Sequence, residues 1–177
     1  MKNGIRIAIS GRSGCGNSTV SKMAAEALGL KFINFTFRSL AAERNMDFLE
    51  VLELAQADDS WDIEIDTRQV KLALDSNGCV LGSRLAIWML KEADLKVYLH
   101  ASDEIRIERI IKREGGDRNA VGDFTKKRDL HDHQRYLRIY NIDTNDYSFA
   151  DLIIDADTNS PQQITDMIIA KASEING

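Results

Sequence analysis

The sequence predicts a single α/β domain in which a parallel sheet of about five strands is covered by helices on both faces. Short runs with strand character alternate with segments of helical spacing along all 177 residues. Such alternation is typical of a doubly wound parallel sheet. A chain of this length with 44% hydrophobic residues can bury one substantial core. No internal repeat, linker or low-complexity tract interrupts it, so we expect one domain over residues 1–177.

Five short runs rich in β-branched, aliphatic or aromatic residues are predicted to form the strands. They span residues 5–10, 31–35, 79–81, 95–99 and 151–155. Between them, helical spacing of apolar residues predicts helices over residues 18–28, 37–44, 47–56, 63–74, 85–91, 102–113 and 124–140. Pro161 opens a final helix in its first turn, and the predicted stop signals are Gly29, Asn77-Gly78 and Gly115-Gly116.

The distribution of charge disfavours some classes of partner. The formal net charge is -5, and the stretch 101–140 is rich in arginine and carries a local basic excess. A nucleic-acid-binding domain usually has a broader basic surface, whereas a local arginine cluster suits a small phosphorylated ligand. No apolar run approaches the roughly 20 residues of a membrane span, and no signal peptide is visible. We therefore expect a cytoplasmic protein that binds neither nucleic acid nor membranes. The sequence leaves its oligomeric state open, with a monomer favoured.

A glycine-rich turn lies between the first predicted strand and the first predicted helix. It comprises Gly11, Arg12, Ser13, Gly14, Cys15, Gly16, Asn17, Ser18 and Thr19. This segment matches the phosphate-loop template G-x-x-x-x-G-K-[ST] at every fixed position except the lysine. Glycines let backbone amides turn inward around phosphate oxygens, and the following helix adds its positive end. A plain glycine turn is the alternative, but the spacing favours binding of ATP phosphates, with the Ser18 hydroxyl on Mg²⁺.

Asn17 stands where the template has lysine. The lysine normally reaches the outer phosphates as a point charge, whereas a neutral amide only donates hydrogen bonds. Loss of that charge is expected to cost on the order of 2–4 kcal/mol in the transition state unless another group replaces it. Arg12 and the arginines further along the chain are the candidates.

With the loop in place, six stretches of the chain resemble the cytidylate kinases, in the short, archaeal-like form of these nucleoside monophosphate kinases. They are IAISGRSGCGNSTVSKMAAEALGL, FTFRSLAAERNMD, DIEIDTRQVKLA, CVLGSRLAIWMLKEADLKVYLHAS, RIERIIKREGG and RYLRIYNIDTNDYSFADLIID. They follow one order from residue 5 to about residue 155. Because many families share the phosphate loop, the later stretches are what narrow the match.

The resemblance implies a phosphate-loop NTPase-type sheet and transfer of a phosphoryl group from ATP to CMP or dCMP with Mg²⁺. It also implies a helical monophosphate-binding region at about 36–75 and a mobile, arginine-rich lid at about 106–128. By position, it assigns the acceptor site to Arg38, Asp66 and Arg84, and the catalytic arginines to Arg109, Arg113, Arg128 and Arg135.

The spacing of the arginines agrees with this implication. Arg106, Arg109 and Arg113 recur at helical spacing, and Arg128 and Arg135 are two helical turns apart. Glycines at 115, 116 and 122 would permit a hinge between the two groups. The alternative is a solvated helix pair laced with salt bridges, since the same helices carry acidic partners at Glu104, Glu108, Asp129 and Asp132.

A second departure from the family is Gly82, where a carboxylate that could orient Mg²⁺ is often found. Together with Asn17 it leaves two alternatives to a cytidylate kinase open. One is a phosphate-loop kinase for another small acceptor. The other is a nucleotide-binding module with weak or no catalysis.

Overall fold

A computed structural model describes residues 4–176, and it confirms the predicted five-stranded parallel sheet. The strands are β1 (Arg6–Gly11), β2 (Lys31–Ile33), β3 (Cys79–Gly82), β4 (Leu95–His100) and β5 (Leu152–Asp155). Their order across the sheet is β2-β3-β1-β4-β5, and every neighbouring pair is parallel.

Eight helices connect or flank these strands within the described part of the chain. They are α1 (Asn17–Leu28), α2 (Phe37–Arg44), α3 (Phe48–Ala57), α4 (Ser60–Leu74), α5 (Ala86–Met89), α6 (Asp103–Glu114), α7 (Arg118–Tyr140) and α8 (Pro161–Asn176). Along residues 4–176, no helix is both long and apolar enough to cross a membrane.

The central strand β1 is buried on both faces, which explains why residues 7–9 are all apolar. Ile7 and Ile9 point to a core cluster that also contains α1 and α8, while Ala8 points to a second cluster on the opposite face. Ile7 and Ile9 are both 0% exposed, and full burial of each such side chain stabilises the fold by about 1.5–3 kcal/mol. The sheet is therefore held between two layers, as predicted.

The order of the strands determines where a ligand can bind. β1 lies between β3 and β4. After β1 the chain first forms β2 and β3 on one side of it, and it then forms β4 and β5 on the other side. In open α/β sheets this switch point forms a crevice outside the carboxyl ends of the strands. The glycine-rich loop 11–16 and residues 82–84 both lie there.

The second half of the predicted lid differs from the expectation. Helix α7 begins at Arg118 rather than at residue 124, because the Asp117 side chain accepts hydrogen bonds from Asn119 N and Ala120 N, both at 3.0 Å. Gly122 is therefore a buried residue within a helix and not part of a hinge. The turn between α6 and α7 is confined to residues 115–117.

Candidate active site

The loop that follows β1 has the geometry of an anion site. Gly14 has φ of 83°, and a Cβ atom there would lie 2.8 Å from the carbonyl oxygen of Arg106, so only glycine fits. Gly16 is the N-cap of α1 and, as a glycine, has no side chain with which to cap the first amides of this helix. Free amides at a helix N-terminus, together with the helix dipole, attract phosphate.

One cleft of about 1070 Å³ brings the loop and most of the predicted side chains together. The whole segment 11–19 lines it. Of the predicted side chains beyond the loop, it is lined by Asp66, Arg84, Arg109, Arg113, Arg128 and Arg135. Arg38 is not among the described lining residues, because its guanidinium stacks on the ring of Phe48, 3.9 Å from the centroid.

Arg109 joins helix α6 to the glycine-rich loop. Its Nη1 donates to the carbonyl oxygen of Cys15 at 3.3 Å, and its Nη2 donates to that of Ala156 at 2.6 Å. Arg113 lies one turn further along α6, is exposed, and pairs with Glu114 at 2.5 Å. Arg109 is thus anchored at the cleft, whereas the contact of Arg113 is a surface ion pair of small energy.

Arg84 and Arg135 both line the cleft and share a carboxylate. Asp132 forms ion pairs with both of them, and Arg135 Nη2 also lies 3.4 Å from Asp62 Oδ1. Arg84 follows β3, while Arg135 and Asp132 project from α7. These ion pairs hold the two guanidinium groups in partly buried positions in the lining of the cleft.

Arg106 occupies a different environment from the other arginines of α6. Its side chain is 1% exposed, and its Nε donates to the carbonyl oxygen of Ser13 at 2.7 Å. Its Nη2 donates to both oxygens of Asp129 at 2.9 and 2.7 Å, and its Nη1 donates to Asp103. All three nitrogens therefore have acceptors, as the salt-bridged alternative expects, but Arg106 is buried and not solvated.

Helix α4 supplies a wall of the cleft that the sequence analysis largely missed. Asp62 and Gln69 are 6% and 5% exposed, and Asp62 Oδ2 and Gln69 Oε1 have no hydrogen-bond partner among the described residues. Such an orphaned atom costs about 1–3 kcal/mol unless a ligand or water satisfies it. Polar residues at 62, 66 and 69 share one stripe of the helix with buried Ile65, and this spacing is the signal that could have revealed the wall.

Asp66 lies between these two residues on the same face. Its Oδ2 accepts a hydrogen bond from the Tyr140 hydroxyl at 2.8 Å. Burial raises the pKa of Asp66 to about 6; the hydrogen bond from Tyr140 opposes this shift, and the nearby Asp62 carboxylate adds to it. The part of the cleft lined by α4 therefore contains a carboxyl group that titrates below neutral pH.

This shift predicts how stability depends on pH. Because the folded chain binds the Asp66 proton more tightly than the unfolded chain does, the contribution is complete below about pH 4 and is lost as the pH rises through about 6. Asp66→Asn should remove that loss, so its stability relative to the wild type should rise by up to about 3 kcal/mol between pH 4 and pH 7.5. Urea unfolding of the wild type and of Asp66→Asn at both pH values measures this change in relative stability. Glu53 is exposed, so Glu53→Gln is the control. If the free energy of unfolding changed equally with pH in the wild type and in Asp66→Asn, the raised pKa of Asp66 would be contradicted.

The thiol of Cys15, in the glycine-rich loop, is buried and therefore unreactive. Its side chain is 1% exposed, and burial raises the pKa of its thiol. We expect native protein to resist a thiol reagent at pH 7.5 equally with and without ATP, while both cysteines react after denaturation, as a timed colorimetric titration would record. Rapid reaction of native Cys15, assayed in a Cys79→Ser variant, would show that the loop opens.

Comparison with known proteins gives the same picture. A family model described as the cytidylate kinase-like family matches residues 6–158. Cytidylate kinase 2 of Borrelia garinii subsp. bavariensis is 48% identical over 168 residues, which cover 93% of this chain and 94% of that protein. The cytidylate kinase of Methanocorpusculum labreanum is 37% identical over 173 residues, covering 97% and 98%.

A solved structure extends the likeness to the fold. Shikimate kinase from Bacteroides thetaiotaomicron superposes with a TM-score of 0.63 at 18% identity, over 98% of this chain and 99% of that one. Identity this low speaks for the architecture alone. The family match over most of the chain and the full-length relatives carry more weight, and they confirm the resemblance found in the sequence: the chain belongs to the cytidylate kinase-like family.

Proposed function

We propose that this chain transfers the γ-phosphate of ATP to CMP or dCMP, giving ADP and the pyrimidine nucleoside diphosphate. The observation that carries the proposal is the single cleft lined by both the complete phosphate loop and five arginines. Phosphoryl transfer needs little covalent help from a protein, but it needs alignment of two phosphates and positive charge on the transferring oxygens. Family membership supports the choice of acceptor, and it does not favour a kinase for another kind of small molecule.

In this proposal the loop binds the ATP phosphates through its backbone amides. Arg84 and Arg135 bind the phosphate of the acceptor, whose oxygen is the nucleophile, so no separate general base is needed. Arg109 and Arg113 of α6 and Arg128 of α7 balance charge on the transferring group as the lid closes. Planar guanidinium groups suit this role, since each can donate two parallel hydrogen bonds to one phosphate.

Mg²⁺ would enter with ATP. The exposed Ser18 hydroxyl, at the start of α1 in the cleft, supplies an oxygen ligand of the kind Mg²⁺ prefers, with nucleotide phosphates and water as the others. Among the described residues, no group of three or more acidic, His or Cys side chains could hold a metal ion by itself. When bound, Mg²⁺ neutralises phosphate charge.

The hydrogen-bond acceptors of α4 in the wall of the cleft favour cytosine as the base of the acceptor nucleotide. Cytosine presents an exocyclic amino group, with two N–H donors, where uracil presents a carbonyl oxygen. The unpartnered Asp62 Oδ2 and Gln69 Oε1 are acceptors that would pair with those donors. Opposite the uracil carbonyl the same oxygens would repel, so the pocket would discriminate the two bases.

A steady-state assay of ADP formation with Mg-ATP and CMP, dCMP, UMP or AMP tests the proposal. We expect CMP and dCMP to be the best acceptors. Tight ATP binding with no turnover on any monophosphate would favour the silent nucleotide-binding module. In that case Asn17→Lys would be expected to create activity.

Base discrimination can be tested at a single residue. Gln69→Leu removes one acceptor and should lower kcat/KM for CMP about tenfold, with a smaller effect on UMP, so that the ratio between the two substrates falls. The exposed Gln134→Leu on α7 is the control and should leave the ratio unchanged. An equal loss for CMP and UMP would show that Gln69 does not read the base.

A further inference from the structure

The residue in place of the template lysine is itself held by a second side chain. Ser21 lies one helical turn after Asn17 on α1 and is 0% exposed. Its hydroxyl donates to Asn17 Oδ1 at 2.9 Å, as residues four apart on a helix can. Because this bond engages the oxygen end of the carboxamide, the two N–H donors of Nδ2 are left for another acceptor. Asn17 lines the cleft.

Gly82, at the end of β3, provides the space for this arrangement. A Cβ atom at position 82 would lie 2.5 Å from Ser21 Oγ, 2.7 Å from Ser21 Cβ and 3.3 Å from Asn17 Oδ1. Real Cβ atoms do not approach other atoms so closely, so any side chain at 82 would displace the Ser21 hydroxyl. Asn17, in place of the lysine, and Gly82, in place of the carboxylate, therefore form one packed unit with Ser21.

We propose that Ser21 is a positioning residue for phosphoryl transfer: its buried hydroxyl orients the Asn17 carboxamide with Nδ2 toward the phosphates held by the loop. Gly82 makes this possible by leaving room for the hydroxyl. The inference rests on the proposed function. A hydrogen bond that fixes the amide removes the need to order it when ATP binds, and the positive charge that lysine would have supplied comes from the arginines around the cleft.

A double-mutant cycle separates this role from a merely structural one. We expect Ser21→Ala and Asn17→Ala each to lower kcat about tenfold with little change in KM for CMP, because each loses the oriented donor to a charged phosphate. The double variant should be no slower than Asn17→Ala alone. Thr165→Val removes another buried hydroxyl, one bonded within α8, and should change neither constant.

Three results would overturn the inference. Ser21→Ala could reduce activity by the same factor in the wild type and in Asn17→Ala, which would mean that it acts through packing. Asn17→Ala could have no effect, which would mean that its amide does not reach the phosphates. Gly82→Ala could retain full activity, although the added methyl group should reproduce the loss seen in Ser21→Ala.

Binding of a non-hydrolysable ATP analogue, measured by calorimetry, keeps this test separate from that of the proposed function. If the wild type does not phosphorylate CMP, the proposed function fails, and the cycle is evaluated on the dissociation constants for the analogue. If the changes in the free energy of analogue binding in the two single variants do not add up to that of the double variant, the positioning role would still be supported. Additive constants, beside normal CMP turnover, would refute that role and leave the proposed function standing.

Discussion

Arg106→Met is expected to lower the free energy of unfolding by about 3 kcal/mol, the lower end of the cost of removing one partner from a buried ion pair, because Asp129 keeps some exposure to solvent. Arg106 is almost fully buried and bridges the phosphate loop, through Ser13, to α7, through Asp129. Methionine fills part of the space but leaves the Asp129 carboxylate and the Ser13 carbonyl oxygen without their donor. Equilibrium urea unfolding measures the change.

The matched control for this experiment is Arg118→Met. Arg118 is exposed and pairs with Glu108 at 3.4 Å, so its loss should cost less than about 1 kcal/mol. A second variant, Arg106→Met with Asp129→Leu, removes both charges and should recover part of the lost stability. If Arg106→Met costs no more than Arg118→Met, the buried network does not stabilise the fold.

Arg84→Ala is expected to reduce kcat/KM for CMP by about 10²–10³-fold, the usual effect of removing one donor from a charged transition state. Its guanidinium lies in the cleft beside the loop, paired with Asp132. Arg84→Lys should retain part of the activity, because a point charge remains while the bidentate fork is lost. Initial-rate measurements with both substrates varied would reveal the loss and its distribution between kcat and KM.

Arg68→Ala is the control for Arg84, since Arg68 lies outside the cleft lining and pairs with Glu43 at 2.7 Å. We expect its kcat/KM to stay close to that of the wild type. Asp132 still has Arg135 as a partner, so Arg84→Ala should remain folded, and thermal melting checks this. A folded Arg84→Ala variant of normal activity would remove Arg84 from the proposed acceptor site.

Elements whose signals are local were predicted well. The strands, α1, α2 and the glycine-rich turn follow from contiguous runs and from stop signals such as Gly29. The beginning of α7 was wrong by six residues, because the capping carboxylate of Asp117 outweighed the glycine at 122. In this case a side-chain hydrogen bond to the helix N-terminus decided the boundary, and the pattern of apolar residues did not.

The arginines show why the lining of the cleft was predicted only in part. Helical spacing gives the face of its own helix on which a side chain lies, but it does not say what packs against that face. Arg106 and Arg109 are three residues apart, yet Arg106 is buried beneath the loop while Arg109 lines the cleft. Arg38 stacks on Phe48 from the neighbouring helix, a contact that no local pattern encodes.

The sequence by itself determined the doubly wound sheet and the phosphate loop, because both depend on residues adjacent in the chain and on backbone geometry that glycine permits. Only the tertiary structure decided how the anomalies are accommodated. Asn17 and Ser21 lie on α1, whereas Gly82 ends β3. They are in contact in the folded chain, since a Cβ atom at position 82 would lie 2.5 Å from Ser21 Oγ. The wall that α4 gives the cleft is likewise a tertiary property. Burial leaves Asp62 Oδ2 and Gln69 Oε1 without partners among the described residues, and it raises the pKa of Asp66.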